Sequence, residues 1–328
     1  MPNRLETRRE QAPAAVVERL VSLACLAPSV HNTQPWLWRY DAGVLELHAD
    51  LGRRLPAEDP RGRNMVISCG AALHHLQFAA RALGWETAVE RLPDPADQAL
   101  LARVTVSRTA RFGVARGDID LLRTRCTDRR RFTAWPVPTD RLDDLCRRAE
   151  LWGARSEAVT SDAARFRLEL LANRAISFLE VEGRRLLEQD RWIDREGPDG
   201  IPLELLPDDP DPLHARSRFR PGVLEDTRLV IHSGERVIAL GGEHDDVAGW
   251  LSTGEAMSDL WLEATREGMS VVPMSQPMEV ESTRHEIATT VLTGGFEPHL
   301  LLRVGWQAIG RRDLPRTPRR PLRDVLQR

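Results

Sequence analysis

Two arginine-rich stretches carry side chains suited to binding an anion. They read RTRCTDRRRF, starting at Arg123, and PRTPRRPLRD, near the C-terminus. Guanidinium groups bind phosphate through paired N–H donors, and each charge-assisted hydrogen bond contributes roughly 1.5–3 kcal/mol. The hydroxyl of Thr127 stands within the first stretch and could donate to the same phosphate. Composition alone leaves open a solvated arginine face. Nucleic-acid binding is a second alternative, which a net charge of -3 and the shortage of interleaved aromatic residues disfavour.

The loop PSVHNTQPW places several polar side chains next to one another before a proline. Its polar residues are Ser29, His31, Asn32, Thr33 and Gln34. Asn and Gln amides both donate and accept hydrogen bonds, so they can bind the edge of a flat heterocycle. The alternative is an ordinary turn in which Asn32 and Pro35 play their usual roles.

A third stretch, GMSVVPMSQPMEV, sets two prolines around Met274, Ser275 and Gln276. Prolines stiffen a loop, and a stiff loop can direct backbone N–H groups at a ring nitrogen. The alternative is a connector whose methionines pack into the core.

Several other kinds of site are not indicated. His74 and His75 are adjacent, so on a helix they point to different faces, and neither His-Glu-x-x-His nor a zinc-like Cys/His spacing occurs. There is no Gly-x-Ser-x-Gly, and no Gly-x-Gly-x-x-Gly follows a strand-like run. All 46 basic residues are arginine, which excludes lysine Schiff-base chemistry and a P-loop lysine. The sequence therefore predicts no metal site.

The remaining composition indicates a globular, cytoplasmic protein. Its four cysteines show no Cys-x-x-Cys and no framework spacing, which favours reduced thiols. The N-terminus MPNRLETRREQAP lacks the apolar region of a secretory signal, and no apolar run approaches the ~20 residues that span a bilayer.

An internal repeat organises the chain. Six residues have identical counterparts 184 positions later, and these pairs are Ser68/Ser252, Gly70/Gly254, Ala72/Ala256, Leu76/Leu260, Ala80/Ala264 and Gly84/Gly268. Each stretch predicts a helix that opens at Ser-x-Gly and ends at a glycine, over 68–84 and 252–268. So long a period excludes a solenoid and favours duplication and fusion of a homodimeric ancestor.

Hydrophobic periodicity predicts the elements around these two helices. Helices are expected over 14–27, over 141–152 with Thr139 as N-cap, and over about 162–192. The strand-like runs are WLWRY, VLELHA, LLARVTVSR, TRLVIHS, RVIALGG and HLLLRVGW, the first two joined by a turn at Asp41-Ala42-Gly43. Residues 194–222 are rich in Pro, Asp and Gly, and a connection that long is usually functional or disordered.

Taken in order, these motifs resemble the nitroreductase superfamily of FMN flavoproteins and, more narrowly, its Acg-like branch. SVHNTQPW resembles the family's Ser/Asn-x-Gln-Pro-Trp flavin loop, and RCTDRRRFTAWPVP its Arg-Arg-Ser-x-Arg phosphate motif. The helix at 252–268 followed by SVVPMSQP resembles the family's helix and flavin-edge loop. LLLRVGW and PRTPRRPL resemble its terminal strand and closing Arg motif. The resemblance covers residue 14 to the end.

The resemblance implies an α+β fold of two fused half-units, 1–116 and 117–328, related by an intramolecular pseudo-two-fold. Each half would hold a small, mostly antiparallel sheet flanked by helices. Residues 194–222 are the candidate lid, because the Acg-like branch has a long insertion over the flavin. The fused pair would bury the ancestral interface, so a monomer is expected, with neither a nucleic-acid nor a membrane partner.

In this family the flavin lies at the dimer seam, so one FMN site is implied here. The flavin loop would form one side of this site, since only the first half keeps that loop. The phosphate motif, the flavin-edge loop and the closing Arg motif would form the other side. The implied cofactor-binding residues are Ser29, His31, Asn32, Gln34, Arg125, Cys126, Thr127, Arg129, Ser275, Gln276, Arg319 and Arg320.

The resemblance implies an FMN-dependent oxidoreductase with NAD(P)H as electron donor and no catalytic protein acid or base. Two departures bear on turnover: Cys126 stands where the family has a basic residue, and Ser275-Gln276 replaces a common Glu-Gly. A non-enzymatic protein that sequesters FMN under a lid is the main alternative. An arginine-rich interaction protein without cofactor is a third.

Overall fold

The computed structural model describes residues 12–109, 115–206, 234–307 and 314–328. The first part of the chain forms α1 (Ala14–Ala24), β1 (Trp36–Asp41), β2 (Val44–Ala49), α2 (Arg63–Ala82), β3 (Trp85–Arg91) and β4 (Leu100–Arg108). The second part forms α3 (Arg116–Thr124), α4 (Thr139–Glu150), β5 (Arg155–Val159), α5 (Asp162–Glu180), α6 (Gly183–Asp190), β6 (Arg236–Gly242), α7 (Val247–Arg266), β7 (Met269–Met274), α8 (Gln276–Glu279), α9 (Glu281–Thr290), β8 (Glu297–Trp306), α10 (Leu322–Val325) and β9 (Leu326–Gln327).

The strands form two sheets with the same internal order. The first runs β3-β4-β2-β1-β9 and the second β7-β8-β6-β5. Every strand pair is antiparallel except β1 with β9, which brings the C-terminus to the edge of the first sheet. Each of β1–β4 thus has a counterpart in the other sheet. The predicted pair of small, mostly antiparallel sheets flanked by helices is confirmed.

The two repeat helices, α2 and α7, pack against each other at the centre of the molecule. A Cβ added to Gly70 would clash with the Leu251 carbonyl and lie 3.0 Å from the Gly254 Cα, and one added to Gly254 would clash with the Ile67 carbonyl. Ile67 and Leu251 are themselves repeat-equivalent, so the contact is reciprocal, as at a two-fold interface. The largest apolar cluster includes residues of both halves. The boundary between residues 116 and 117 stays a prediction.

Both repeat helices start about one turn earlier than the Ser-x-Gly pattern predicted. They begin at Arg63 and Val247, again 184 residues apart. Their ends agree with the prediction, because Gly84 and Gly268 follow them with φ of +80° and +84°. Glycine is favoured in this left-handed position, where it ends a helix without steric cost.

The largest difference between the halves lies at one hairpin. The strands β1 and β2 are joined by Ala42 and Gly43 at φ of +46° and +86°, which confirms the predicted tight turn. Their counterparts β5 and β6 are separated by residues 160–235, which include α5 and α6. We call residues 160–235 the insertion. The candidate lid is thus part of a longer segment that replaces a two-residue turn.

Several local predictions need correction. The helix expected over 162–192 is broken between α5 and α6, next to Gly183. Thr139 is the first residue of α4 rather than its N-cap, and the N-cap position is taken by Pro138, whose side chain makes no capping hydrogen bond. The stretch SVVPMSQP forms β7 and the short α8 rather than a loop, and β3 and α3 were not predicted. The run TRLVIHS lies outside the described residues.

Candidate functional site

The SVHNTQPW loop, residues 29–36, joins α1 to β1 in a strained conformation. His31, Asn32 and Gln34 have φ of +47°, +54° and +49°. Such values are uncommon for residues with a side chain, and strain of this kind concentrates at functional sites. The Ser29 hydroxyl accepts the Gln34 N–H at 2.9 Å. The loop is also anchored to α2, because the Val30 N–H donates to the Ser68 hydroxyl.

Arg125, between α3 and α4, is a buried cation with unsatisfied donors. Its guanidinium lies 4.5 Å from the centre of the Trp261 ring, and its Nη2 donates to the Leu26 carbonyl. Its Nε and Nη1 have no hydrogen-bond partner among the described residues. Burial lowers the pKa of Arg125 to about 9, and the nearby charge of Arg319 adds to this. The side chain therefore stays protonated at neutral pH.

Arg319 approaches the same region from the C-terminal segment. It donates to the Asn32 side-chain oxygen at 3.1 Å and to the Leu26 carbonyl at 3.2 Å. Its Nε has no partner in the described ranges, and burial lowers its pKa to about 10. Arg125 is buried and Arg319 is half-buried, and both donate to the Leu26 carbonyl. Buried donor nitrogens with no partner in the described ranges are costly unless an anion joins them.

A cavity of about 260 Å³ lies between these two arginines and the SVHNTQPW loop. We call it the arginine cavity. It brings together the predicted residues Ser29, Asn32, Arg125, Cys126, Thr127, Arg129 and Arg319. It also contains residues that the sequence did not single out for the site, namely Arg316, Thr317, Ile201 and Leu205. The cavity thus joins the SVHNTQPW loop to both arginine-rich stretches, and its donors suit a phosphate.

Arg320 and Gln34 do not line the arginine cavity. The Arg320 guanidinium donates to the Gln34 backbone carbonyl at 3.0 Å and to Asp50 at 3.2 Å. The Arg320 backbone N–H donates to the Gln34 side-chain oxygen at 2.8 Å. These two residues tie the C-terminal segment to the loop. The neighbouring Arg316 lines the arginine cavity.

His31, Ser275 and Gln276 also lie away from the arginine cavity. His31 Nε2 is 2.6 Å from the carboxylate of Glu58, and both side chains are buried. Glu58 and Gln276 line a second cavity of about 40 Å³, which we call the Glu58 cavity. The Ser275 hydroxyl donates to Glu279, a further residue of that cavity. Glu58 belongs to no sequence motif, so its contact with His31 could be found only from the structure.

The described part of the candidate lid, residues 194–206, packs directly on the SVHNTQPW loop. The Pro198 carbonyl accepts the Gln34 side-chain amide at 2.8 Å, and the Gly200 carbonyl accepts that of Asn32 at 2.9 Å. Asp199 pairs with Arg53 on the first half. Residues 198–200 therefore cover the loop. Residues 207–222 of the candidate lid lie outside the described residues.

The cysteines have distinct environments. Cys126 is half-buried in the arginine cavity, whereas Cys69 lies inside α2, where its thiol donates to the Pro35 carbonyl at 3.2 Å. Burial raises the pKa of the Cys69 thiol, which disfavours the reactive thiolate. All four cysteines are free.

Relatives known by sequence extend over both halves of this chain. Rv3131 of Mycobacterium tuberculosis (strain H37Rv), whose name assigns it to the NAD(P)H nitroreductases, is 36% identical over 321 residues, 96% of this chain and 92% of that protein. Acg of the same strain, named in the same way, is 30% identical over 318 residues, 94% of this chain and 95% of Acg. No family model matches the chain.

Among solved structures, the FMN-dependent nitroreductase NfnB of Mycobacterium smegmatis, in complex with NADPH, is similar to this chain at 17% identity and a TM-score of 0.40. The alignment covers 64% of this chain and 97% of NfnB.

Across the described ranges, no helix has both the length and the apolar character needed to cross a membrane.

Proposed function

This chain belongs to the nitroreductase family, in the group that includes Acg, and from that premise we propose that it is an FMN-dependent NAD(P)H oxidoreductase. The observation that carries the proposal is the arginine cavity. Arg125 and Arg319 keep N–H donors there that have no partner in the described part of the chain, and a phosphate would supply acceptors and negative charge. Family membership points to the flavin, and the unpaired donor nitrogens of these two arginines support the binding of its phosphate in this cavity.

The residues of the arginine cavity divide into two roles. Arg125, Arg129, Arg316 and Arg319 would hold the phosphate, with the Thr127 hydroxyl as a further donor. The SVHNTQPW loop and the backbone near Ser275 and Gln276 would form the walls around the ring. When bound, the flavin supplies hydride transfer from NAD(P)H to a small electrophile such as a nitroarene, quinone or enone.

A second function, sequestration of FMN, is favoured by two observations. The carbonyls of Pro198 and Gly200 accept hydrogen bonds from the side-chain amides of Gln34 and Asn32, so residues 198–200 close over the loop. The arginine cavity, at about 260 Å³, is also slightly smaller than the ~300 Å³ at which small-molecule pockets usually begin. A protein that holds its flavin under a closed insertion would store it rather than turn it over.

The test is the visible absorption spectrum of the FMN-loaded protein during an anaerobic NADPH titration. The oxidoreductase is expected to be yellow and to bleach stoichiometrically, because hydride reaches the ring. A yellow protein that NADPH and NADH both fail to bleach would contradict the oxidoreductase and favour sequestration. A protein that remains colourless after FMN addition would contradict both functions.

We further propose that the protein is a monomer in solution. The reciprocal contact of Gly70 with Gly254 lies inside one chain, so the interface that would join two ancestral subunits is already buried. Light scattering is expected to give the mass of one 37.0 kDa chain. A concentration-independent dimer would contradict this expectation without affecting the flavin site.

A further inference from the structure

Cys126 is a half-buried cysteine in the wall of the arginine cavity, between Arg125 and Thr127. Five arginines line the same cavity, namely Arg123, Arg125, Arg129, Arg316 and Arg319. No Asp or Glu stands among the described residues that line it. The nearest acidic residue along the chain, Asp128, is paired with Arg130. The thiol of Cys126 therefore lies in surroundings with an excess of positive charge.

The neighbouring Arg125 shows that this positive charge lacks an acceptor. Arg125 is only 5% exposed, and its Nε and Nη1 have no hydrogen-bond partner across the described residues. Burial lowers the pKa of Arg125, whereas the charge of a Cys126 thiolate raises it, so the two side chains interact electrostatically. An anionic group on Cys126 would therefore be stabilised by the same donors that we assign to the phosphate.

The other three cysteines do not share these surroundings. Two of them are buried, and burial raises the pKa of each thiol. Cys146 is half-buried like Cys126, but it lies beside Asp143 and Glu157. Burial, together with the charges of these carboxylates, raises the pKa of the Cys146 thiol to about 11. Reactive cysteines are found in electropositive, partly exposed surroundings, and among the four Cys126 alone has them.

We propose that Cys126 is an oxidation site whose sulfinate blocks the phosphate position of the arginine cavity. This inference rests on the proposed function, because it takes the arginine cavity as the site of the FMN phosphate. Two molecules of hydrogen peroxide react in succession. The first converts the thiol to a sulfenic acid and water, and the second converts the sulfenic acid to a sulfinate, water and a proton. In each step one O–O bond breaks, one S–O bond forms, and the peroxide accepts two electrons from sulfur.

The oxidation proceeds to the sulfinate because no second thiol stands in the cavity. A sulfenic acid next to another thiol condenses to a disulfide, and none of the other three cysteines lines the arginine cavity. The sulfinate carries a negative charge and two acceptor oxygens, so it accepts hydrogen bonds from the guanidinium groups as a phosphate does. It uses the donors of Arg125 and repels the phosphate of FMN. Oxidation thus prevents FMN binding without the movement of any segment.

The test compares Cys126→Ser with Cys146→Ser, because Cys146 is also half-buried but lies among carboxylates. The FMN-free, full-length proteins are treated with hydrogen peroxide and then with dithiothreitol. Peptide mass spectrometry gives the oxidation state of each cysteine, and FMN fluorescence quenching gives the affinity before and after treatment. In wild type and in C146S, Cys126 is expected to gain two oxygen atoms, and FMN binding to weaken at least about 100-fold. C126S is expected to show the same affinity before and after treatment.

Two further variants separate the effect of the anion from oxidation elsewhere in the chain. Cys126→Asp places a permanent carboxylate in the cavity, and Cys126→Asn has the same shape without the charge. C126D is expected to bind FMN at least about tenfold more weakly than C126N, because only the carboxylate accepts from the arginine donors. Inorganic phosphate is expected to slow the oxidation of Cys126 in wild type and not that of Cys146.

Several outcomes would overturn the inference. These are complete sulfinate formation on Cys126 without loss of FMN affinity, an equal loss in C126S, and equal affinities of C126D and C126N. Recovery of FMN binding in dithiothreitol would also overturn it, because thiols do not reduce a sulfinate. An untreated wild-type protein that fails to bind FMN would instead overturn the proposed function, and this inference with it.

Discussion

Arg125→Met is expected to weaken FMN binding at least about 100-fold without destabilising the cofactor-free protein. Two N–H donors of Arg125 have no partner in the described structure, and each hydrogen bond from a charged donor to a phosphate contributes about 1.5–3 kcal/mol. Loss of both corresponds to roughly 3–6 kcal/mol, which is 100-fold or more in affinity. The guanidinium remains charged at neutral pH, because its pKa of about 9 lies above 7.

The same substitution should not lower the free energy of unfolding of the cofactor-free protein. Methionine fills a similar volume and removes a buried charge, whose unsatisfied donors cost about 1–3 kcal/mol. The lost contact with the Trp261 ring, worth about 0.5–2 kcal/mol, offsets that gain. Weaker FMN binding without a lower free energy of unfolding would show that Arg125 serves ligand binding rather than the stability of the fold.

FMN fluorescence quenching would give the affinity, and urea unfolding without FMN would give the stability. Arg141→Met is the matched control, because Arg141 is half-exposed on α4 and pairs with Glu267. That variant is expected to bind FMN as wild type does. Unchanged affinity in Arg125→Met would remove Arg125 from the phosphate site. A loss of stability without FMN would show that its charge already has a partner in the fold.

Gly70→Ala is expected to lower the free energy of unfolding by about 1–3 kcal/mol, because the added methyl group overpacks the seam between α2 and α7. The new Cβ would clash with the Leu251 carbonyl and lie 3.0 Å from the Gly254 Cα. Both obstacles are backbone atoms, which cannot move aside as a flexible side chain can. The two helices would have to separate, and the halves that form the two walls of the site would separate with them.

Gly117→Ala provides the control for this prediction. Gly117 lies in α3, and a Cβ added there meets nothing within 4 Å. Alanine has the higher helix propensity, so this variant is expected to gain up to about 1 kcal/mol. Urea denaturation of both variants provides the comparison. Equal stabilities for the two variants would mean that α2 and α7 are not in close backbone contact.

The sequence determined those features that depend on neighbouring residues. Alternation of apolar and polar residues predicted β1, β2, β4, β6 and β8, and a Gly at each helix end predicted where α2 and α7 stop. The repeat of Ser68 to Gly84 at Ser252 to Gly268 predicted two related halves, because identical patterns fold into identical elements. Motif order likewise indicated the family and seven of the sixteen residues that line the arginine cavity.

Only the tertiary structure decided which arginines face the cavity and what lies against the loop. Arg320, which was predicted for the site, donates to the Gln34 carbonyl and to Asp50 and lies outside the arginine cavity, whereas Arg316 lines it. The start of α2 at Arg63, the division of the insertion into α5 and α6, and the pairing of His31 with Glu58 were equally unpredictable. Each depends on contacts between segments far apart in sequence, and burial of a charge or a donor can be judged only once those segments have packed together.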